Sequence, residues 1–423
     1  MSAEWTLRGW EAKPSPHLPT YPDAHALDLA TAELRRLPPL VTSWEIEALK
    51  SAIAEAQEGN RFLLQGGDCA ETMADCVPSL IVSKLDILFR MSRVLDVAAN
   101  KPVLRVGRFA GQYAKPRSSP TEVREGVTLP SYMGDLVNRP AFTEAARRPD
   151  PSLLVSCYQH AALTLNFVRA LASGDFADLR TSAGIEHDVH EGGAVPLFTS
   201  HEGLNLHYEA AQTRTVPHRP GYYDLSTHMP WIGERTRDLA GPHVEFFRGV
   251  ENPIGIKVGP TASADEIDAL CNLINPRNAA GKVVLVTRMG ATAVGLALPP
   301  IVARIREKGR RVLWVCDPMH GNGITTKSGL KTRHMDDILR ELEATFDVHD
   351  ACGTVFGGVH FELTGESVTE CLGAGTTEAD LDTRYLTACD PRLNARQSIE
   401  LASSIARRMR GAPSMRPQSS SSE

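Results

Sequence analysis

Short apolar runs that end in chemically loaded polar residues recur along this chain, with helical stretches between them. The clearest is Val312-Leu313-Trp314-Val315, continuously apolar, as a strand buried on both faces should be. It runs into Cys316-Asp317-Pro318-Met319-His320-Gly321-Asn322, which sets a thiol, a carboxylate and an imidazole at one sheet edge. The same pattern predicts strands over 62–69 (ending Gly66-Gly67-Asp68-Cys69), Val103 to Arg108, Val195 to Ser200 (ending in His201-Glu202), and Ile254 to Val258 around Lys257. It also predicts strands over Lys282 to Arg288, Arg311 to Cys316, and Gly358 to Leu363, the last carrying His360 and Glu362. One more, poorly marked, precedes Trp231-Ile232-Gly233-Glu234-Arg235. Eight strands made parallel by intervening helices predict an α/β fold, a (β/α)8 barrel. A doubly wound open sheet is the alternative. Its glycine fingerprint, GxGxxG after the first strand, is missing from Gln65-Gly66-Gly67-Asp68.

Helical periodicity adds the rest. Ala24 to Arg36 reads as a helix stopped by Pro38-Pro39. Thr42 and Glu45 form a capping box for a helix to about Glu58, closed by Gly59. Trp44, Ala48, Leu49 and Ile53 give that helix its apolar stripe. Residues 1–23 hold Pro and Trp without periodicity and read as an extended arm, so 1–59 is expected to pack on a barrel spanning 60–410. Ser119 to Pro151 reads as a long loop before a helix to about Ala172, and a final helix spans Asn394 to Met409. The Pro- and Ser-rich 411–423 is expected to be a disordered tail.

Composition narrows the function. At 42% hydrophobic the chain can bury a sizeable core, and its net charge of −6 gives no global field for nucleic acid. No run of about 18 apolar residues predicts a membrane span. Met1-Ser2-Ala3-Glu4-Trp5 begins no secretion signal. Eight cysteines without CxxC pairs fit a reduced, cytoplasmic protein better than a disulfide framework.

Strand ends of a barrel converge on one mouth, and two sets of residues would meet there. Cys69, His320, Glu362 and Asp390 suit a divalent transition metal of intermediate softness, such as Mn, Co, Fe or Zn. Taken singly each has an ordinary structural reading: a lone Cys in an apolar strand is a small core residue, and Asp before Pro is a turn. The second set is Arg108, Lys115, Arg117, Arg235, Lys257 and Arg288. Cations on strands that otherwise read as buried need anionic company, either Glu202, Glu234 or Asp317 within the protein or a polyanionic ligand. Phosphate and carboxylate are the groups that Arg and Lys clusters hold. The residues alone therefore point to a metal-dependent barrel enzyme acting on small phosphorylated, carboxylated molecules.

The chain also resembles the class II 3-deoxy-D-arabino-heptulosonate-7-phosphate (DAHP) synthases. The matching blocks are Gln65 to Glu71, Arg108 to Ser118, Trp231 to Arg237, Lys257 to Pro260, Arg288 to Gly290, Asp317 to Asn322, Lys331 to His334, Val368 to Cys371 and Cys389 to Asn394. In order, they cover about 60 to 410. The resemblance implies condensation of phosphoenolpyruvate (PEP) with erythrose 4-phosphate, the entry step of the shikimate pathway. It implies one divalent metal, Mn or Co before Fe, Zn or Cd, on Cys69, His320, Glu362 and Asp390. It implies a PEP pocket of Arg108, Lys115, Glu234, Arg235, Lys257 and Arg288, and an erythrose 4-phosphate site of Lys115, Arg117 and Ser118. PEP brings about three negative charges and the aldose phosphate about two, which the six cations would balance. The catalytic roles fall to Lys257, Glu234 and Arg108: Glu234 to orient water, and Lys257 or a metal-bound water to protonate the new alkoxide.

Departures from the family pattern set further expectations. The segment Gly174 to Pro196 is short where longer members carry extra helices that help form effector sites. This predicts an enzyme without feedback inhibition by Phe, Tyr or Trp, of the kind that feeds bacterial secondary metabolism. Cys389, beside Asp390, is expected near Cys69, where a disulfide would block metal binding. An aminoDAHP synthase would look alike, and a non-catalytic homologue would be expected to have lost ligands that are all present. The Trp-bearing arm and exposed barrel helices predict a homodimer.

Overall fold

In the computed structural model, which describes residues 4–115, 117, 119–173, 196–387 and 389–411, eight strands close into a barrel, each bonded to its neighbours in sequence. They are β1 (Phe62–Gly67), β2 (Val103–Arg108), β3 (Phe198–Glu202), β4 (Met229–Ile232), β5 (Ile254–Val258), β6 (Val283–Thr287), β7 (Val312–Cys316) and β8 (Phe356–Glu362). Every barrel pairing is parallel, and β8 closes on β1. The open-sheet alternative is thereby removed. Gly67 pairs with Arg108 on one side and Glu362 on the other, so the register sets those two side chains across one glycine.

Alternation along each strand sorts the interior into layers. At the amino-terminal end, Leu63, Leu104, Val106, Phe198, Met229, Val284, Val286, Leu313 and Val315 form one apolar cluster. Helix α1 spans Ala24–Arg36 and α2 spans Ser43–Gln57. Leu49, Ala52, Ile53 and Ala56 of α2 join that cluster and close this end of the barrel. Fully burying Leu49 and Ile53 contributes roughly 1.5–3 kcal/mol each. Further along the axis Gln65 bonds Ser200 at 2.7 Å. At the carboxyl-terminal end the buried residues become polar and titratable: Arg108, Lys257, Asp317, His360 and Glu362. The outward faces pack under helices that include α3 (Pro78–Ala99), α4 (Ser152–Ser173) and the last helix, α5 (Ala395–Met409).

The capping box of α2 forms as the sequence predicts, with Thr42 and Glu45 bonded reciprocally. The arm lies on the body: Trp5 Nε1 donates to the carbonyls of Glu245 (3.1 Å) and Phe246 (3.2 Å), and Trp10 is buried.

Two stretches differ from expectation. The long loop after β2 contains a hairpin, Thr121–Arg124 with Val127–Pro130, turned by Glu125 and Gly126 at φ 49° and 79°. Both central residues are left-handed, the primed geometry that suits a tight hairpin. The poorly marked region before Trp231 holds a helix, Leu206–Gln212, and a second hairpin, Thr213–Val216 with Arg219–Asp224. β4 is only four residues long and includes Pro230, which erases a strand's usual signature. Residues 174–195, 412–423 and Ser118 lie outside the described residues, and with them the effector-segment, tail and Ser118 expectations. No described helix is long and apolar enough to cross a membrane.

Candidate active site

Three of the four metal-like residues, Cys69, Glu362 and Asp390, converge, and His320 adjoins them through Glu362. β1 ends at Gly67 with φ 148°, where a Cβ would lie 2.6 Å from the Arg108 carbonyl oxygen, so glycine is required for the turn that delivers Cys69. Asp317, at the end of β7, accepts from the backbone N–H groups of Met319 (3.0 Å) and His320 (3.3 Å) and lies 2.7 Å from His320 Nδ1. That contact fixes the ring and aims Nε2 at Glu362 Oε1, 3.0 Å away. Asp390 arrives from the loop before α5, its N–H 3.2 Å from Cys69 Sγ. One donor atom from each of Cys69, Glu362 and Asp390 lies within 4.8 Å of the others. The donor chemistry is thiolate, imidazole and two carboxylates, which fits a divalent transition metal. The Lys115 ammonium points into the same spot, bonded to Cys69 Sγ and Asp390 Oδ2 and 3.5 Å from Glu362 Oε1. A lysine drawn to that point shows how strongly the donors favour positive charge.

The electrostatics agree. Burial acts to raise Glu362, yet His320, Lys115 and Arg333 outweigh it and hold the carboxyl well below its ordinary value. Asp390 is likewise held down against burial, first by Lys115. Burial, the hydrogen bond with Cys389 and the nearby Glu362 push the Cys69 thiol up. A divalent cation reverses that sign, because coordination favours the thiolate. Cys389 is drawn down to about 6, first by its bond with Cys69. The two thiols are therefore neighbours, and both are free.

Beside this cluster lies a cavity of about 350 Å³ that Arg108, Lys115, Arg117, Arg235, Lys257 and Arg288 all line, together with Glu234, Cys69, His320 and Asp390. Arg108 is 2% exposed, with Nη1 2.8 Å from His360 Nε2 and Nη2 3.4 Å from Glu362 Oε1. Burial, then Lys257 and Arg108, push His360 well down, so its imidazole is neutral and accepts from Arg108. Trp231 lies under both cations, 5.2 Å from the Arg108 guanidinium and 5.8 Å from Lys257 Nζ. Lys257 pairs with Asp317, and its pKa is about 8, lowered chiefly by burial and by Arg108 against the pull of Asp317. Arg288 Nη2 donates to the His320 carbonyl at 2.7 Å, while its buried Nε has no partner among the described residues. Arg117 stands nearer the mouth, 3.4 Å from Cys389 Sγ and from Glu122. Glu234 accepts from Gly259 N–H at 2.6 Å and from Arg237 at 2.8 Å, so its carboxylate is fixed at the wall.

Three charged groups at or beside the cavity escaped the sequence reading as site residues. Glu202 faces the cavity, with Oε1 unpartnered among the described residues and its pKa raised by burial despite Lys115 and Lys257. Arg333 is buried and pairs with Glu362 Oε2 at 2.8 Å, opposite the oxygen that faces His320. Lys331, on the rim, lies 3.1 Å from Asp390 Oδ1. Glu202 was legible as a polar strand end but read only as an internal ion-pair partner. Arg333 and Lys331 sit in a matching block to which no role attached.

The class-II DAHP synthetase family model matches residues 5–192 and 181–406. A phospho-2-dehydro-3-deoxyheptonate aldolase of Streptomyces coelicolor is 44% identical, over 94% of this chain and 96% of that protein. Proteins of the same name from Neurospora crassa and Mycolicibacterium smegmatis are each 42% identical, covering 95% and 94% of this chain and 94% and 93% of their own lengths. With a closed barrel, a mouth rich in cations and matches over nearly the whole length, the chain belongs to the class II DAHP synthase family.

Proposed function

We infer that this enzyme condenses PEP with D-erythrose 4-phosphate and water, releasing phosphate and DAHP at the entry to the shikimate pathway. One observation supports the site assignment: Cys69, His320 and Asp390 line a single cavity with six cations, and Glu362 adjoins them from behind. Cys69, His320, Glu362 and Asp390 would hold the metal, Mn or Co by preference. The bound metal supplies Lewis-acid polarisation of the aldehyde oxygen.

The rest of the chemistry belongs to the chain's own residues. PEP, with its carboxylate and phosphate, fits the deep cations Arg108, Lys257 and Arg288, flanked by Lys115 and Arg235. The aldose phosphate fits Arg117 nearer the mouth, with Ser118 beside it in sequence. This arrangement brings the PEP methylene carbon to the aldehyde, where the new C–C bond forms and positive charge develops at the neighbouring PEP carbon. Water adds to that carbon, oriented by the fixed Glu234 carboxylate. The tetrahedral centre then loses phosphate by C–O cleavage. Lys257, with a pKa near neutrality, is suited to protonate the new alkoxide. Glu202, whose carboxyl burial pushes up against the pull of Lys115 and Lys257, is a second candidate proton source on the same wall.

The deciding experiment is phosphate release from PEP plus erythrose 4-phosphate, using metal-stripped enzyme with Mn or Co restored. Metal-dependent turnover is expected, and a folded, metal-loaded sample that releases no phosphate would reject the reaction. A cytoplasmic homodimer unresponsive to Phe, Tyr or Trp is also proposed. Large exposed apolar side chains at Leu29, Trp44 and Leu163 support an interface, which sedimentation velocity would test.

Lys257 gives a pH prediction. It serves PEP as a cation, so kcat/KM for PEP should fall as pH rises through about 8. Asp317 holds that pKa up against burial, so Asp317→Asn should move the break to lower pH at saturating metal. A break that does not move in Asp317→Asn would reject the assignment to Lys257.

A further inference from the structure

We propose that a buried chain of ion pairs behind the cavity, Lys84–Asp68–Arg392–Glu370, sets the spacing of the metal donors Cys69 and Asp390 and thereby sets metal affinity. The inference rests on the metal reading above. None of the four residues lines the cavity. All are buried, and Asp68 and Glu370 are fully so.

The geometry ties two distant segments together. Asp68, next to Cys69, lies 2.5 Å from Lys84 Nζ of α3 and 2.9 Å from Arg392 Nη1. Arg392, two residues after Asp390, turns the rest of its fork to Glu370: Nη2 to Oε1 at 2.9 Å and Nε to Oε2 at 3.1 Å. Glu370 also accepts the backbone N–H groups of Leu386 (3.1 Å), Thr387 (2.9 Å) and Arg392 (2.7 Å). One carboxylate thus grips both ends of the loop that presents Asp390, and one guanidinium bolts that loop to the residue beside Cys69.

Stability alone is a poor account of this chain. A buried ion pair gains little net free energy over well-packed apolar residues, because desolvation offsets the attraction. What it provides is fixed geometry. Metal donors tolerate errors of only about 0.2 Å, and outer partners that orient them typically govern metal affinity by 10- to 100-fold. The planar Arg392 fork engages both carboxylates at once, which a lysine cannot reproduce. These are positioning residues: they touch neither metal nor substrate.

Arg392→Lys keeps the charge and removes the fork, so it isolates geometry from electrostatics. Titrating Mn(II) and Co(II) calorimetrically into metal-stripped enzyme should show affinity weakened about 10- to 100-fold. The Co(II)–thiolate absorption, which reports Cys69 directly, should weaken or shift. Glu370→Gln, measured the same way, stands in should Arg392→Lys not fold. A lowered melting temperature with metal affinity within about twofold of wild type and an unchanged Co(II) spectrum would make the chain merely structural and overturn the proposal. Wild-type enzyme that takes up neither ion would instead reject the metal reading itself, and this inference with it.

Discussion

Glu362→Gln is expected to lower turnover by about 10³-fold or more, with no rescue by excess Mn or Co. Two losses coincide in this substitution. Oε1 faces His320 and the metal-like cluster, so neutralising it removes a donor and the charge that attracts the ion. Oε2 pairs with Arg333, which is 2% exposed and also donates to the Met319 and Pro391 carbonyls. Losing one partner of a buried pair costs about 3–5 kcal/mol, because the remaining charge stays desolvated. Urea denaturation of the metal-stripped protein should show that loss, and calorimetry should show little metal uptake. Near-normal phosphate release at saturating Mn would remove Glu362 from the site.

Lys257→Met should separate the two halves of the cavity. Methionine keeps the length and apolar volume over Trp231 but removes the charge. We expect kcat/KM for PEP to fall by about 10²–10³-fold, the usual effect of deleting one preorganised electrostatic contact. Metal affinity should change far less. Asp317 loses one cation but keeps His320 and two backbone donors, so the imidazole remains aimed. Comparable losses of Mn affinity and PEP efficiency would show that Lys257 acts through His320 rather than on PEP.

Much of this was readable because buried parallel strands are continuous apolar runs, and their ends stand out against them. Val312 to Cys316 and Ile254 to Val258 announce themselves that way, and Lys257 is conspicuous as a cation inside such a run. β4 did not announce itself, being short and carrying Pro230. The hairpin at Thr121–Pro130 hid in a turn of Glu and Gly, a weaker signal than Asn-Gly. The metal-like set is a different case. Cys69 and Asp390 touch across 321 positions, and no local pattern encodes a contact that only barrel closure creates. The expected barrel, whose strand ends share one mouth, suggested that grouping, and family resemblance gave its members a role. Resemblance did not supply Glu202 as a cavity residue, nor the Asp68–Arg392 pair, because a motif names residues and says nothing of what lies behind them.

The plug of α2 in the amino-terminal end of the barrel has a consequence for traffic. With that end stoppered, the barrel is a blind vessel with one doorway, so reactants and products share a single corridor. Lys257 and Arg108 stand at its back, 5% and 2% exposed, and Arg117 stands near the threshold. A group bound at the back passes the Arg117 side of the cavity on its way in and again on its way out.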